Sequence, residues 1–329
     1  MKKKILIIFT GGTIAMKVDP NLDAAIPALN SDEIISTVSN IEEIVDVETI
    51  NFGNLPSPHI KPGHMLEISE IIKENINRED ISGIVVTHGT DTLEETAYFL
   101  DLVIDNEKPI VLLGSMRNYS ELGYDGSSNL SAAICTAISD KARGKGVLVV
   151  MNNEVNAAGE VTKTNTLSLD TFKSPEFGPL GIVDNEEVIF YRDIIDRKHI
   201  STSKIEDKIA LIKTGSGMDS NIINFYIDSG YKGIVIEALG RGNIPPEMVS
   251  GIERAIEKSI PVVMVSRCHT GRVLDSYGYT GGGKHLRDLG VILGGNLPGQ
   301  KARIKLMLIL GKTNDKSEIK EIFEKDMIY

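Results

Sequence analysis

Short runs of branched aliphatic residues recur along the first part of this chain: Ile5 to Phe9, Ile44 to Ile50, Gly83 to Thr87, Pro109 to Leu113 and Gly146 to Met151. Between them, apolar residues return every three or four positions, as in Met65 to Ile76, Leu93 to Ile104 and Asn129 to Ile138. Strands that read as unbroken apolar runs are covered on both faces, and parallel neighbours need a crossover, usually a helix. The alternation therefore predicts βαβ units around a parallel sheet. From Val155 to Tyr191 the pattern breaks into short strands and Gly-Pro turns, and Arg192 to Lys208 is a charged stretch that reads as an exposed linker. The alternation then restarts at Ile209 to Ile212, Ile222 to Ile227, Ile234 to Glu237, Met248 to Ile256 and Val262 to Val265, ending in an amphipathic stretch from Gln300 to Leu310. Two α/β domains are expected, 1–191 and 209–329, joined by a linker at 192–208.

Charge narrows the partner. Lys plus Arg is 35 against 46 Asp plus Glu, a net charge of −11, which disfavours nucleic acid and anionic membranes and points to a small molecule. Met1-Lys2-Lys3-Lys4 before Ile5 to Phe9 imitates a secretory signal, but the apolar run stops at Thr10-Gly11-Gly12, and no later stretch reaches the ~20 apolar residues of a membrane span. A soluble cytoplasmic protein is expected. The two cysteines, Cys135 and Cys268, form no CxxC pair and are read as reduced, buried thiols.

Three segments could carry chemistry. Thr10-Gly11-Gly12-Thr13-Ile14-Ala15 follows the first strand, where loops at carboxyl ends line the ligand crevice of an open α/β sheet. Paired glycines allow close backbone approach and Thr13 offers a hydroxyl; a plain tight βα turn is the alternative. It is not a phosphate loop: GxxxxGK[ST] is absent, since the residue needed as glycine before Gly311-Lys312-Thr313 is Leu306, and GxGxxG is absent too. Thr87-His88-Gly89-Thr90-Asp91-Thr92-Leu93-Glu94-Glu95 again ends a strand and opens a helix. Helix capping by Asp91 or Thr92, with Glu94 or Glu95 in the first turn, would account for part of it. It leaves unexplained a second hydroxyl, Thr90, and a carboxylate, Asp91, at the same sheet edge as Thr13. In Glu160-Val161-Thr162-Lys163-Thr164-Asn165-Thr166 a lysine sits among hydroxyls; it is either a solvated surface residue or, if buried beside Thr90, an amine of lowered pKa that accepts a proton from a hydroxyl.

Together these three segments resemble the L-asparaginase family, the bacterial threonine amidohydrolases. Thr10 to Ala15 is similar to its first signature, His88 to Thr92 to its second, and Thr162 to Thr166 to its lysine segment; Gly240-Arg241-Gly242-Asn243 and Gln300-Lys301-Ala302-Arg303 extend the likeness from about Lys4 to Gly311. The resemblance implies a larger N-terminal parallel-sheet α/β domain carrying the site and a smaller flavodoxin-like C-terminal α/β domain. It also implies a homodimer or homotetramer, no cofactor, and L-asparagine as substrate. Thr13 would attack the side-chain amide to form an acyl-enzyme, with Thr90, Lys163 and Asp91 as the second catalytic group. Ser57 would hold the substrate α-carboxylate, Asp91 its ammonium, and Asn243 would reach a neighbouring site, unless it is simply a turn asparagine.

Amide hydrolysis needs a barrier reduction of about 8–23 kcal/mol, which a threonine hydroxyl supplies only with a base and oxyanion donors. The backbone N–H groups of Gly12 and Thr90 are the expected donors. The chain departs from the family twice. The lid after the first signature, Met16 to Leu29, has no tyrosine, the first in the chain being Tyr98; either Lys163 acting through Thr90 suffices, or Tyr277 or Tyr279 supplies a substitute. No glutamate occurs between Lys258 and Ser317, leaving Asp275 as the stand-in for the one that periplasmic members contribute from a neighbouring subunit, which favours the cytoplasmic type.

The remaining residues suggest no other chemistry. His59 and His64 are five apart, off the usual ligand spacing, and neither HExxH nor CxxC occurs, so no metal is expected. His88 reads as a hydrogen-bonded structural residue, and GxSxG is absent. Tyr279-Thr280-Gly281-Gly282-Gly283-Lys284-His285 is read as a flexible loop rather than an anion site. The rival functions are the amidase component of a tRNA-dependent amidotransferase and a non-catalytic small-molecule-binding module.

Overall fold

The computed structural model describes residues 2–39, 41–194 and 197–324. Two compact units divide the chain, Met1–His199 and Ile200–Tyr329. The first is built on an eight-stranded sheet of β1 (Lys4–Phe9), β4 (Asp46–Asn51), β5 (Ile81–Thr87), β6 (Ile110–Leu113), β7 (Val147–Met151), β8 (Glu154–Ala157), β11 (Gly181–Asp184) and β12 (Glu187–Phe190). Two small hairpins stand apart from it: β2 (Met16–Asp19) with β3 (Ala24–Pro27), and β9 (Thr162–Lys163) with β10 (Phe172–Lys173).

The sheet runs β12-β11-β8-β7-β6-β5-β1-β4. Its five strands from β4 to β7 are parallel, as the apolar runs predict. The edge from β8 to β12 is antiparallel, so the sheet is mixed rather than wholly parallel. The cause is connection length: the two-residue turn Asn152-Asn153, both at positive φ, can join only antiparallel neighbours. Helices cover both faces. The cluster of Ile5, Ile7, Val85, Val111 and Val150 packs on α5 (Gly126–Ile138) and on Ile34 of α1 (Ser31–Ile35) and Ile41 of α2 (Ile41–Ile44). The intervening side chains, such as Leu6, Ile8, Ile84 and Val86, are equally buried, with α3 (Pro62–Ile76) and α4 (Leu93–Val103) contacting this sheet.

β1 lies between β4 and β5, its successors in the parallel part of the sheet. The chain thus crosses to one side of β1 and then to the other, and such a reversal of strand order opens a crevice beyond the carboxyl ends. The turns after β1 and β5 flank it.

The second unit is a parallel four-stranded sheet, β13 (Ile209–Lys213), β14 (Gly233–Ala238), β15 (Val262–Ser266) and β16 (Ile292–Leu293), in that order. Its helices are α6 (Asn221–Asp228), α7 (Val249–Glu257), α8 (Gly283–Leu289), α9 (Gly299–Lys312) and α10 (Lys316–Glu324). Three expectations change here. Gly281, Gly282 and Gly283 are buried and open α8, so the segment read as a flexible loop is packed backbone; a Cβ on Gly282 would lie 2.4 Å from the Tyr277 carbonyl oxygen. Cys268 is exposed, and only Cys135 is buried. The charged stretch from Arg192 is not wholly exposed, because Ile200 is buried.

Candidate active site

The turn after β1 is pinned on three sides. Thr10, fully buried, donates from Oγ1 to the Thr87 carbonyl at 2.7 Å and from its N–H to Thr87 Oγ1 at 3.3 Å, tying the end of β1 to that of β5. Leu55 N–H donates to the Thr10 carbonyl at 2.8 Å, and Gly12 N–H to the Leu55 carbonyl at 3.1 Å. Gly12 has φ +88, where L side chains are strained, and a Cβ on it would come 2.4 Å from Gly89 N. Gly11, at φ +105 and with Leu55 N 2.4 Å from where a Cβ would sit, is needed on the same two grounds, and Gly12 brings the turns after β1 and β5 into backbone contact. Thr13 opens the short 3₁₀ turn Thr13–Ala15 and is partly exposed. One expectation fails: the Gly12 N–H is spent on Leu55 and is not free to donate to an oxyanion. Thr90 N–H, by contrast, meets no acceptor among the described residues.

The second turn carries Thr90 and Asp91. Lys163 Nζ donates to Thr90 Oγ1 at 2.9 Å and to Asp91 Oδ1 at 2.7 Å. The Lys163 side chain is 16% exposed and that of Asp91 63%, so the amine is sheltered while the carboxylate faces solvent. Ser57 is buried beside them: its Oγ accepts from Asp91 N–H at 3.2 Å and its carbonyl from Thr92 Oγ1 at 2.9 Å. Thr92 occupies the N-cap position of α4, yet its hydroxyl caps nothing there and binds Ser57 instead. Helix capping therefore does not account for this motif.

His88 is fully buried, with Nδ1 2.8 Å from the Gly89 carbonyl and Nε2 2.9 Å from Thr96 Oγ1. The carbonyl can only accept, so Nδ1 carries the proton and Nε2 accepts from Thr96. Burial disfavours the imidazolium and pulls the pKa down to about 4, the Gly89 carbonyl opposing the fall. His88 is a neutral brace between the Thr90 turn and α4.

Two groups here escaped the sequence reading. Glu94 is buried, and its Oε1 accepts from Thr162 Oγ1 at 3.0 Å and from Lys163 N–H at 3.2 Å. Its partners are 68 and 69 residues away, but α4 is apolar on nearly every side, and a carboxylate in the first turn of such a helix must find donors. The second is the loop between β6 and α5. Tyr119 N–H donates to the Met16 carbonyl, Ser120 Oγ accepts from Val18 N–H, and Tyr124 O–H donates to the Ile14 carbonyl at 2.9 Å, one residue past Thr13. Lys17 Nζ stands 5.0 Å from the Tyr119 ring centroid. The segment expected to be the lid forms the β2–β3 hairpin, and the phenols beside it come from this loop.

Tyr277, Tyr279, Asp275 and Asn243 belong to the second unit. Both tyrosines are exposed, and Asp275 accepts from Arg287 at 3.0 Å. Asn243 closes a turn with Leu239 through bonds of 2.8 and 3.0 Å, and its buried Oδ1 has no partner among the described residues. Among those residues there is also no cluster of three His, Cys, Asp or Glu placed to hold a metal, and no helix long and apolar enough to cross a membrane.

Comparison with known proteins bears on both units. Residues 4–196 match the family described as Asparaginase, N-terminal, and residues 208–323 the Glutaminase/Asparaginase C-terminal domain. The L-asparaginase of Bacillus licheniformis is 36% identical over 94% of this chain and 96% of its own. The probable periplasmic L-asparaginase of Haemophilus influenzae is 36% identical over 97% and 92%. A glutamyl-tRNA(Gln) amidotransferase component from Pyrococcus horikoshii is 36% identical over 97% of this chain and 74% of its own. Among solved structures, the probable cytoplasmic L-asparaginase of Campylobacter jejuni superposes with a TM-score of 0.88 at 34% identity, covering 98% of this chain and 99% of that one.

Proposed function

Because the chain belongs to the asparaginase family, we propose that it hydrolyses the side-chain amide of L-asparagine to L-aspartate and ammonia through an acyl-enzyme on Thr13. The observation that carries the residue assignment is the contact of Lys163 with Thr90 and Asp91, at 2.9 and 2.7 Å, those two residues lying on a turn in backbone contact with the one bearing Thr13. Thr13 Oγ1 bonds to the amide carbon, the carbonyl oxygen gains negative charge, and the Thr90 N–H, which meets no acceptor among the described residues, supplies a donor to it. The hydroxyl proton passes to the departing nitrogen and ammonia leaves. Water then attacks the ester, the Thr13–acyl bond breaks, and aspartate is released with the hydroxyl restored.

Lys163 acts as a donor in this scheme. Its ammonium on Thr90 Oγ1 lowers the cost of withdrawing the Thr90 proton, so Thr90 relays protons between Thr13, the leaving nitrogen and water. The Asp91 carboxylate, exposed on one side and held by Lys163 on the other, suits the substrate ammonium. The Ser57 hydroxyl, accepting from Asp91 N–H, keeps its own proton to donate to the α-carboxylate. Gly12 contributes the close approach rather than a hydrogen bond.

We read the working protein as a cytoplasmic homodimer or homotetramer in which Asn243 completes a neighbour's site; sedimentation of the purified chain tests the assembly. The chemistry is tested by ammonia release from asparagine and then glutamine, using the wild type, Thr13→Ala and Thr90→Val. Turnover of asparagine, lost by about 10³-fold or more in both folded variants, is the expected result. Ligand binding without turnover in the wild type would leave only a binding module.

A further inference from the structure

We infer that Glu94 is the positioning residue that sets Lys163 against Thr90, and that its carboxylate works on the reaction only through that lysine; the inference rests on the functional reading above. Lys163 lies on β9, a two-residue strand that pairs only with the equally short β10 and takes no part in the large sheet. Strands this short fix little by their own ladder. One buried carboxylate oxygen ties the backbone of β9 to the helix that follows the Thr90 turn. Glu94 Oε1 accepts from the Thr162 hydroxyl and the Lys163 backbone N–H, one residue apart, so it fixes both the height and the rotation of β9 on α4. Four residues before it on the same turn stands Thr90, whose Oγ1 receives the Lys163 ammonium at 2.9 Å. Lys163 is therefore gripped at its backbone by Glu94 and delivers its side chain to Thr90 and Asp91. Because the side chain is long and flexible, a loosened backbone would let it wander over many rotamers and lose that geometry.

The position also accounts for the chemistry of the residue. Two donors converge on one oxygen, which a carboxylate or a carboxamide oxygen can accept and an alkyl group cannot. Glu94→Gln preserves the acceptor and should stay within about threefold of wild-type kcat, whereas Glu94→Ala should lose about 30-fold or more with KM altered less than about threefold.

A double-mutant cycle with Lys163→Met separates positioning from general support of the fold. If Glu94 acts through Lys163, adding Glu94→Ala to Lys163→Met should cost less than about twofold in ammonia release from asparagine. Losses that multiply would overturn the inference and leave the functional reading standing. Wild-type turnover surviving Lys163→Met would bring down that reading, and this inference with it. Should Glu94→Ala fail to fold, Thr162→Val removes one donor to the same oxygen; an approximately fivefold loss that vanishes in the Lys163→Met background supports the assignment, and one that persists there refutes it.

Discussion

The two turns that carry hydroxyls and the hairpin that carries the lysine are held in opposite ways. The turns after β1 and β5 are extensions of central strands, locked by buried backbone and threonine bonds from Thr10, Thr87, Leu55 and Gly12. The β9–β10 hairpin lies outside the large sheet and, beyond its own short ladder, is supported by side chains, among them Glu94 and Thr171, whose Oγ1 accepts from Asn165 N–H at 2.7 Å. A rigid frame thus presents the Thr13 and Thr90 hydroxyls, while the Lys163 amine rests on a few replaceable contacts. Damage to the frame should cost stability and activity together; damage to the hairpin should cost activity first.

The largest effect is expected from Gly12→Ala. The new Cβ would lie 2.4 Å from Gly89 N and force an alanine to φ +88, so both turns must move. Stability should fall by about 3 kcal/mol or more and ammonia release should vanish, as calorimetry and assay would show. A variant with wild-type Tm would mean the turns are not locked together.

Next comes the pH response of the frame. His88 has its pKa lowered to about 4 from an ordinary 6.5, so between those values the unfolded chain binds more protons. Stability should therefore rise with pH from about 4 to 6.5 and be lost on acidification through that window, by roughly 3 kcal/mol on linkage alone. His88→Gln should flatten the slope of unfolding free energy against pH there. An unchanged slope would assign it to other groups.

Thr171→Val tests the hairpin at a contact that does not involve Glu94. Removing a buried hydroxyl that holds Asn165 should cost about 1–2 kcal/mol locally, appearing as a roughly tenfold loss of kcat with only a small fall in Tm. Equal proportional damage to both would erase the contrast between the regions. The smallest change is expected for Tyr124→Phe, which leaves the Ile14 carbonyl without its phenol donor. A loss of about 1 kcal/mol, read as a few-fold drop in kcat, would tie the loop before α5 to the Thr13 turn.

Much of this arrangement is legible along the chain, and what is legible has a common cause. The central parallel strands β1, β5, β6 and β7 were readable because each is covered on both faces and so is apolar nearly throughout, whereas β4 at the sheet edge mixes polar and apolar residues. The Thr10–Thr13 and His88–Asp91 turns were readable because each lies directly after such a strand, where local order alone puts it at the carboxyl edge. The reading failed where meaning came from distant partners. Glu94 sits in a local pattern that suits helix capping, and only Thr162 and Lys163, folded against it, give it another task. The Gly12 N–H looked free in the sequence and is occupied by Leu55. The phenols beside the lid come from Tyr119 and Tyr124, about a hundred residues beyond it.

The sequence by itself determined the periodicities, and through them the strands, the helices and which strand ends carry hydroxyls, because each depends on neighbours a few positions away. Only the tertiary structure decided that the Lys163 amine donates to Thr90, that Glu94 accepts from the Lys163 backbone and that His88 stays neutral. Those outcomes depend on burial and on donor–acceptor pairing between segments separated by tens of residues, quantities that exist only once the chain has closed on itself.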